Sequence, residues 1–205
     1  MRTPREAEAF ESELMSTLIK AVLIATVGLA LGLWSARATL SDRFPIAVDK
    51  IGAWRVEARA GSANADPYTR ARVERAGEVP LALGEGLRMT TGADSDGRAL
   101  DSRCVYKVGP HAPPTRYWTL ELVDGEGRPV PNPAERYVLR STEILREPDG
   151  GFSIFVSARA HAGNWLPIGA PIRFGLALRL YDPALSGALG VDEAAAPVVA
   201  RERCG

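Results

Sequence analysis

The side chains of this chain that could do chemistry fall into a few groups. Carboxylates stand close together at Asp94, Asp96 and Asp101, around Ser95 and Gly97. Such spacing suits a calcium ion on a tight loop or, for Asp96 and Asp101, a general acid and base acting on a glycan or a small ester. A calcium loop carries a carboxylate at its twelfth position, where this chain has Val105, so an ordinary hairpin turn is expected and no metal or cofactor is assigned. A second group centres on Asn164-Trp165-Leu166-Pro167. With Arg136, Arg179, Tyr181 and Asp101 as polar partners, Trp165 could stack on a sugar face and make a ligand site. The same residues also read structurally. Set in a loop between two strands, the indole would plug the end of the fold while the Asn164 amide satisfies loop backbone groups. Arg136 and Arg179 could instead pair with Asp124 or Asp182 at the surface. His111 and His161 have no neighbours that complete a metal set or a triad, and no G-x-S-x-G, HExxH, GxGxxG or P-loop motif is present.

The elements that would position these residues follow from periodicity. Trp118, Leu120 and Leu122 alternate with Tyr117, Thr119 and Glu121. Phe152, Ile154 and Val156 alternate with Ser153 and Ser157, and Ile172 to Leu180 repeats the pattern. Period two predicts half-buried antiparallel strands. Asp96-Gly97, Asp124-Gly125 and Asp149-Gly150 fall between them and supply hairpin turns needing positive φ. Ile51 to Val56 reads as a first strand. One short helix is expected from Pro67 to about Arg75, with Asp66 as N-cap and an end near Gly77; Arg72 and Arg75 share one of its faces. No internal repeat is visible. The expected fold is mainly β, an antiparallel sandwich of jelly-roll type.

Upstream of the domain lies Ala21 to Ala36, sixteen residues without charge, flanked by Lys20 and Arg37. A helix of that length reaches about 24 Å, and Leu18 and Ile19 lengthen it toward the roughly 30 Å hydrocarbon core. Residues 18–38 are therefore read as a transmembrane signal anchor, residues 1–17 as a polar cytoplasmic tail, disordered from Met1 to Leu14, and residues 39–205 as one periplasmic domain. Alternative processing stays open at two points: translation from Met15, and cleavage after Ala38, which satisfies the small-x-small pattern and would release a soluble periplasmic protein. Gly28 and Gly32 form a GxxxG step. Of the 205 residues, 25 are Lys or Arg and 25 are Asp or Glu, so no basic excess draws in nucleic acid. Cys104 and Cys204 are the two cysteines, and an even count in an exported chain reads as a disulfide.

Order and spacing over Leu81 to Pro183 then carry a resemblance. Asp96-Gly97-Arg98 with Leu100-Asp101, Tyr106, Tyr117-Trp118-Thr119-Leu120, Asp124 with Gly127-Arg128, Asn132-Pro133, Arg136-Tyr137, Asp149-Gly150, Asn164-Trp165-Leu166-Pro167 and Arg179-Leu180-Tyr181 follow one another. This run resembles the bacterial family catalogued as domain of unknown function 1214, its small singly anchored members above all. The resemblance implies a β-sandwich exported across the inner membrane, often beside a sister family of unknown function that would be an envelope partner. It implies no established reaction. The function expected is a non-catalytic binding or assembly module in the cell envelope. A hydrolase acting on envelope glycan or a small ester, and a soluble periplasmic ligand carrier, are the alternatives.

Overall fold

The computed structural model describes residues 4–39, 49–56, 58, 60–77, 79–82, 84–169, 173–184 and 193–205. The chain divides into two compact units, Met1–Ile46 and Ala47–Gly205. The first holds helix α1, Pro4–Thr39. Within it Glu13–Ala38 is long and apolar enough to cross a membrane, and no side chain from Glu13 to Arg37 is buried in the protein. Helix begins at Pro4, so the polar leader expected to be unstructured is helical, consistent with Pro being pre-set for the first turn.

The second unit is mainly β. Its elements are β1 (Asp49–Ile51), β2 (Trp54–Val56), α2 (Pro67–Ala76), β3 (Gly86–Thr91), β4 (Cys104–Gly109), β5 (Thr115–Val123), β6 (Val138–Arg140), β7 (Ile154–Ser157), β8 (Asn164–Pro167), β9 (Gly175–Pro183), a 3-10 turn at Glu193–Ala195, and β10 (Val198–Cys204). A six-stranded sheet runs in the order β1-β2-β3-β9-β5-β6 and a four-stranded sheet in the order β10-β4-β7-β8. The alternating residues of both meet in one core: Leu87, Met89, Leu120, Leu176, Leu178 and Leu180 from the first, Tyr106, Val108, Ile154, Val156, Leu166 and Val199 from the second. Rings join the layers, with Trp118 5.1 Å from Phe152 and Tyr106 edge-on to Phe174 at 6.0 Å.

Local expectations for α2 hold. Asp66 caps it by accepting the N–H groups of Tyr68 and Thr69, Pro67 opens it, and Gly77 closes it at φ 65°. The Thr69 hydroxyl and N–H hold the Asp66 carboxyl below the usual carboxylate range. Asp66→Ala is expected to cost about 1 kcal/mol, read as faster amide exchange confined to the first turn of α2. Ile172, expected to open the last long strand, and the side chain of Arg72 lie outside the described residues.

Other expectations are corrected. Ile51 to Val56 is not one strand but a hairpin: Ile51 pairs with Trp54 across Gly52-Ala53, with Gly52 at φ 56°. Ile51, Trp54 and Val56 are all buried, and a step of three from Ile51 to Trp54 breaks period two, which a turn repairs. The four-stranded sheet is mixed rather than antiparallel, because β8 runs parallel to β7. The strands have four residues each, so the return needs about 10 Å at 3.3 Å per residue. Residues 158–163 span that distance without a helix.

The hairpin tips also form a repeat that was not read from the sequence. In both Asp94-Ser-Asp-Gly-Arg98 and Asp124-Gly-Glu-Gly-Arg128 the Asp Oδ1 accepts the N–H groups two and four residues on, and Oδ2 accepts the Arg Nε, at 3.1 and 3.0 Å. The fourth residue is a glycine at φ 83° and 81°. Positive φ in the second turn therefore falls on Gly127 and not on Gly125, because the carboxylate cage needs four residues from Asp to Arg.

Candidate functional site

The residues singled out from the sequence do not converge on one site. Asn164, Trp165 and Arg136 come together on the four-stranded sheet. Asn164 is a clamp: Oδ1 accepts the Leu145 N–H at 2.6 Å, and Nδ2 donates to the carbonyls of Leu145 and Ser153 at 2.8 and 3.1 Å. Every polar atom of the amide is used, as burial at 8 % exposure requires. Trp165 lies in β8 and not in a loop, and it does not plug the sandwich. Leu166 points into the core, so Trp165, one residue away, faces outward opposite Phe155. Its Nε1 donates to the Ser157 carbonyl and hydroxyl at 3.1 Å, and its carbonyl accepts Arg136 Nη1 at 3.1 Å. His161 stacks on Phe155 with centroids 3.6 Å apart. The result is a half-buried aromatic strip with Arg136 at one edge.

Arg179 and Tyr181 belong to the outer face of the other sheet. Tyr181 pairs with Tyr117, their rings 5.5 Å apart. Arg179 forms an ion pair with Glu121, while Asp124 holds Arg128 and Asp182 faces Arg116 at 3.9 Å. The expected pairing of Arg136 and Arg179 with Asp124 or Asp182 is thus replaced by partners set by strand register.

Asp101 occupies a third place, beside the Cys104–Cys204 disulfide. It accepts Arg103 Nε and Nη2 at 3.0 and 2.7 Å and donates its own N–H to the Tyr106 hydroxyl at 2.8 Å. The Arg103 hydrogen bonds hold its carboxyl far below the usual carboxylate range. Asp101, Arg103, Arg173 and Arg201 line a cleft of about 340 Å³ against the disulfide. Asp96 is held by Arg98 at 2.5 Å, and Asp94 by Arg98 and Arg201 at 3.1 and 2.8 Å. Each of these carboxylates is bound to guanidinium. Among the described residues no group of three His, Cys, Asp or Glu is placed to hold a metal ion.

Sequence reading missed a further cleft of about 290 Å³ on the outer face of the six-stranded sheet. It lies between α2 with Gly77, Val79, Pro80 and Leu81 on one side and the Gly127–Pro129 tip on the other, and Arg88, Arg128 and Arg179 reach it. Arg88 was legible as an outward residue between Leu87 and Met89. Its neighbour across the ladder was not.

Fold and site together define a mainly β domain of two facing sheets, preceded by an apolar helix and locked by one disulfide. Residues 85–185 match the family described as "Protein of unknown function (DUF1214)", the family that the sequence resembles. No curated protein matches the chain. Among solved structures, the VPA0106 protein from Vibrio parahaemolyticus is similar at 21 % identity and a TM-score of 0.53, over 67 % of this chain and 36 % of that one. An uncharacterized protein from Burkholderia cenocepacia gives 16 % identity and a TM-score of 0.41, over 72 % and 48 %. This chain therefore spans less than half the length of either, and the first likeness supports the fold alone.

Proposed function

We propose that this protein is a membrane-anchored, non-catalytic binding or assembly module, with α1 spanning the inner membrane and a jelly-roll-like sandwich in the periplasm. The observation that carries this reading is the fate of the polar residues in and beside the family signature. Asp94, Asp96, Asp101 and Asp124 are each bound to arginine, and Asn164 is spent on loop backbone. General acid catalysis at neutral pH needs a carboxyl pushed up in pKa, whereas Asp94, Asp101 and Asp124 are all pushed down. The pairing of these carboxylates with arginine weighs against the hydrolase alternative, and the soluble carrier follows only if the segment is cleaved after Ala38. The Cys104–Cys204 bond fits an oxidising compartment outside the cytoplasm.

A partner is expected in the envelope, with the sister family as the first candidate, and the balanced charge offers no basic excess to draw in nucleic acid. The outward strip of Trp165, Phe155 and His161, with Arg136, is the proposed contact. Full-length protein drawn gently from native membranes in mild detergent should bring one envelope protein in comparable amount. Trp165→Ala should leave the fold intact and lower that recovery at least tenfold. Recovery of the protein alone, or a variant that unfolds, would count against the strip as a contact.

A further inference from the structure

We propose that the Cys104–Cys204 bond is an exchange site, opened at the Cys204 sulfur by a small polar thiol that enters the cleft beside it. This goes beyond the partner contact proposed above and does not depend on it. Thiol–disulfide exchange requires a thiolate to reach one sulfur of the bond, and exposed disulfides are the labile ones. The two halves of this bond differ in that respect. Cys104 is buried at 4 % exposure at the start of β4, whereas Cys204, at the end of the outer strand β10, is exposed. Both cysteines line the cleft of about 340 Å³, which therefore opens directly onto the bond. At roughly 30 Å³ per water-sized unit that volume holds about eleven heavy atoms, room for a thiol of the size of cysteine. Asp101, Arg103, Arg173 and Arg201 give it polar walls, with Arg103 held by Asp101 and Arg201 by Asp94. Such walls favour a hydrophilic thiol over a hydrocarbon one.

Opening the bond does not require the domain to unfold. The register of β10 shifts between Arg201 and Arg203. Before that shift the strand is held independently: the Val199 N–H donates to Ser95 Oγ, and Trp54 Nε1 donates to the Pro197 carbonyl. Beyond it lie only the last rungs of the ladder with β4 and the Gly205 N–H on the Arg103 carbonyl, so exchange frees a short terminal stretch. In the step itself the incoming thiolate sulfur bonds to Cys204 Sγ while the Cys104–Cys204 bond breaks. The electron pair of that bond leaves on Cys104 Sγ, which takes a proton from water. One disulfide replaces another, and Cys204 carries the thiol until the Cys104 thiolate attacks Cys204 Sγ and expels it.

The test incubates full-length protein in neutral detergent with cysteine, or with a thiol carried on a long polyethylene glycol chain. Reactions are stopped with acid, alkylated and mapped by peptide mass spectrometry. The expected product has a cysteine adduct on Cys204 and a free thiol on Cys104. It should form in proportion to cysteine concentration, at a rate unchanged by urea below the unfolding transition. The polymer thiol, too large for the cleft, should react at least tenfold more slowly. Ala99→Trp, at an exposed position lining the cleft, should slow the cysteine reaction at least tenfold and leave the urea midpoint in place. If that variant unfolds, the comparison of the two thiols on the wild-type protein still decides. An adduct on Cys104, a rate that climbs with urea as unfolding bares the bond, or equal rates with the two thiols would overturn the assignment.

Discussion

Reducing the Cys104–Cys204 bond, or replacing both cysteines by alanine, is expected to lower the stability of the β domain by about 2–5 kcal/mol. The two residues are 100 apart in sequence and face each other in the β4–β10 ladder. In the chain-entropy description a loop of that length contributes about 4.7 kcal/mol by restricting the unfolded chain. The loss should not be uniform. β10 is the outer strand of its sheet, so its far end has β4 alone to hold it. Its near end is anchored independently: Val199 is fully buried, Ser95 accepts the Val199 N–H at 2.9 Å, and Trp54 donates to the Pro197 carbonyl at 2.7 Å. Denaturant unfolding with and without reductant should therefore show a lower midpoint, and amide exchange should rise first from Arg201 to Cys204. An unchanged midpoint would mean that the ladder alone sets the stability.

The second large effect is expected at Asp94. It is 1 % exposed, accepts two backbone N–H groups on Oδ1, and faces Arg98 and Arg201 with Oδ2. Arg201 is itself mostly buried and lies over the Tyr106 ring at 5.4 Å. Asp94→Ala removes the carboxylate that faces that guanidinium at 2.8 Å, a change expected to cost about 3 kcal/mol or more. Asp124 supplies an internal control, since it builds the same turn but is 28 % exposed and faces Arg128 in solvent. Asp124→Ala should cost roughly 1 kcal/mol. Urea midpoints of the two variants should differ accordingly, and equal losses would show that the turn rather than the buried charge matters.

The same carboxylate predicts a pH dependence. Burial disfavours the charge on Asp94, but the Arg98 N–H and the Arg201 and Arg98 guanidinium groups outweigh it and hold the pKa below the ordinary 3.8. A carboxyl lowered on folding adds stability that is complete above the unfolded value and disappears as pH falls through the folded one. Wild-type protein should thus lose stability below about pH 4 more steeply than Asp94→Asn, when both are followed by acid titration of the unfolding midpoint.

Much of the framework was legible without coordinates, because the signals involved are local. Asp66-Pro67 and Gly77 bound a helix through backbone groups two to four residues away. Trp118, Leu120 and Leu122 face the core because successive residues of a strand point to opposite sides. The run from Ala21 to Ala36 is apolar whatever lies near it. Two cysteines in a chain read as exported leave one pairing. The two turns built on Asp94 and Asp124 were legible in principle, since Asp, Gly and Arg recur at the same offsets, but their common geometry emerged only when the carboxylate contacts could be compared.

Everything that depends on a partner distant in sequence was decided by the tertiary structure. Asn164-Trp165-Leu166-Pro167 became an edge strand because β7 offered it a parallel ladder, and this turned Trp165 outward. Arg136 found the Trp165 carbonyl and Arg179 found Glu121, where local charge had suggested Asp124 or Asp182. Asp94 holds Arg201 from the far end of the chain. Arg88 meets Arg179 because β3 and β9 pair in one register, and a slip of β3 by one residue would send Arg88 into the core. Composition, capping and periodicity thus determined the elements and their inner faces. Which side chains share a cleft was set by the register of strands, and register is a property of the packed sheet.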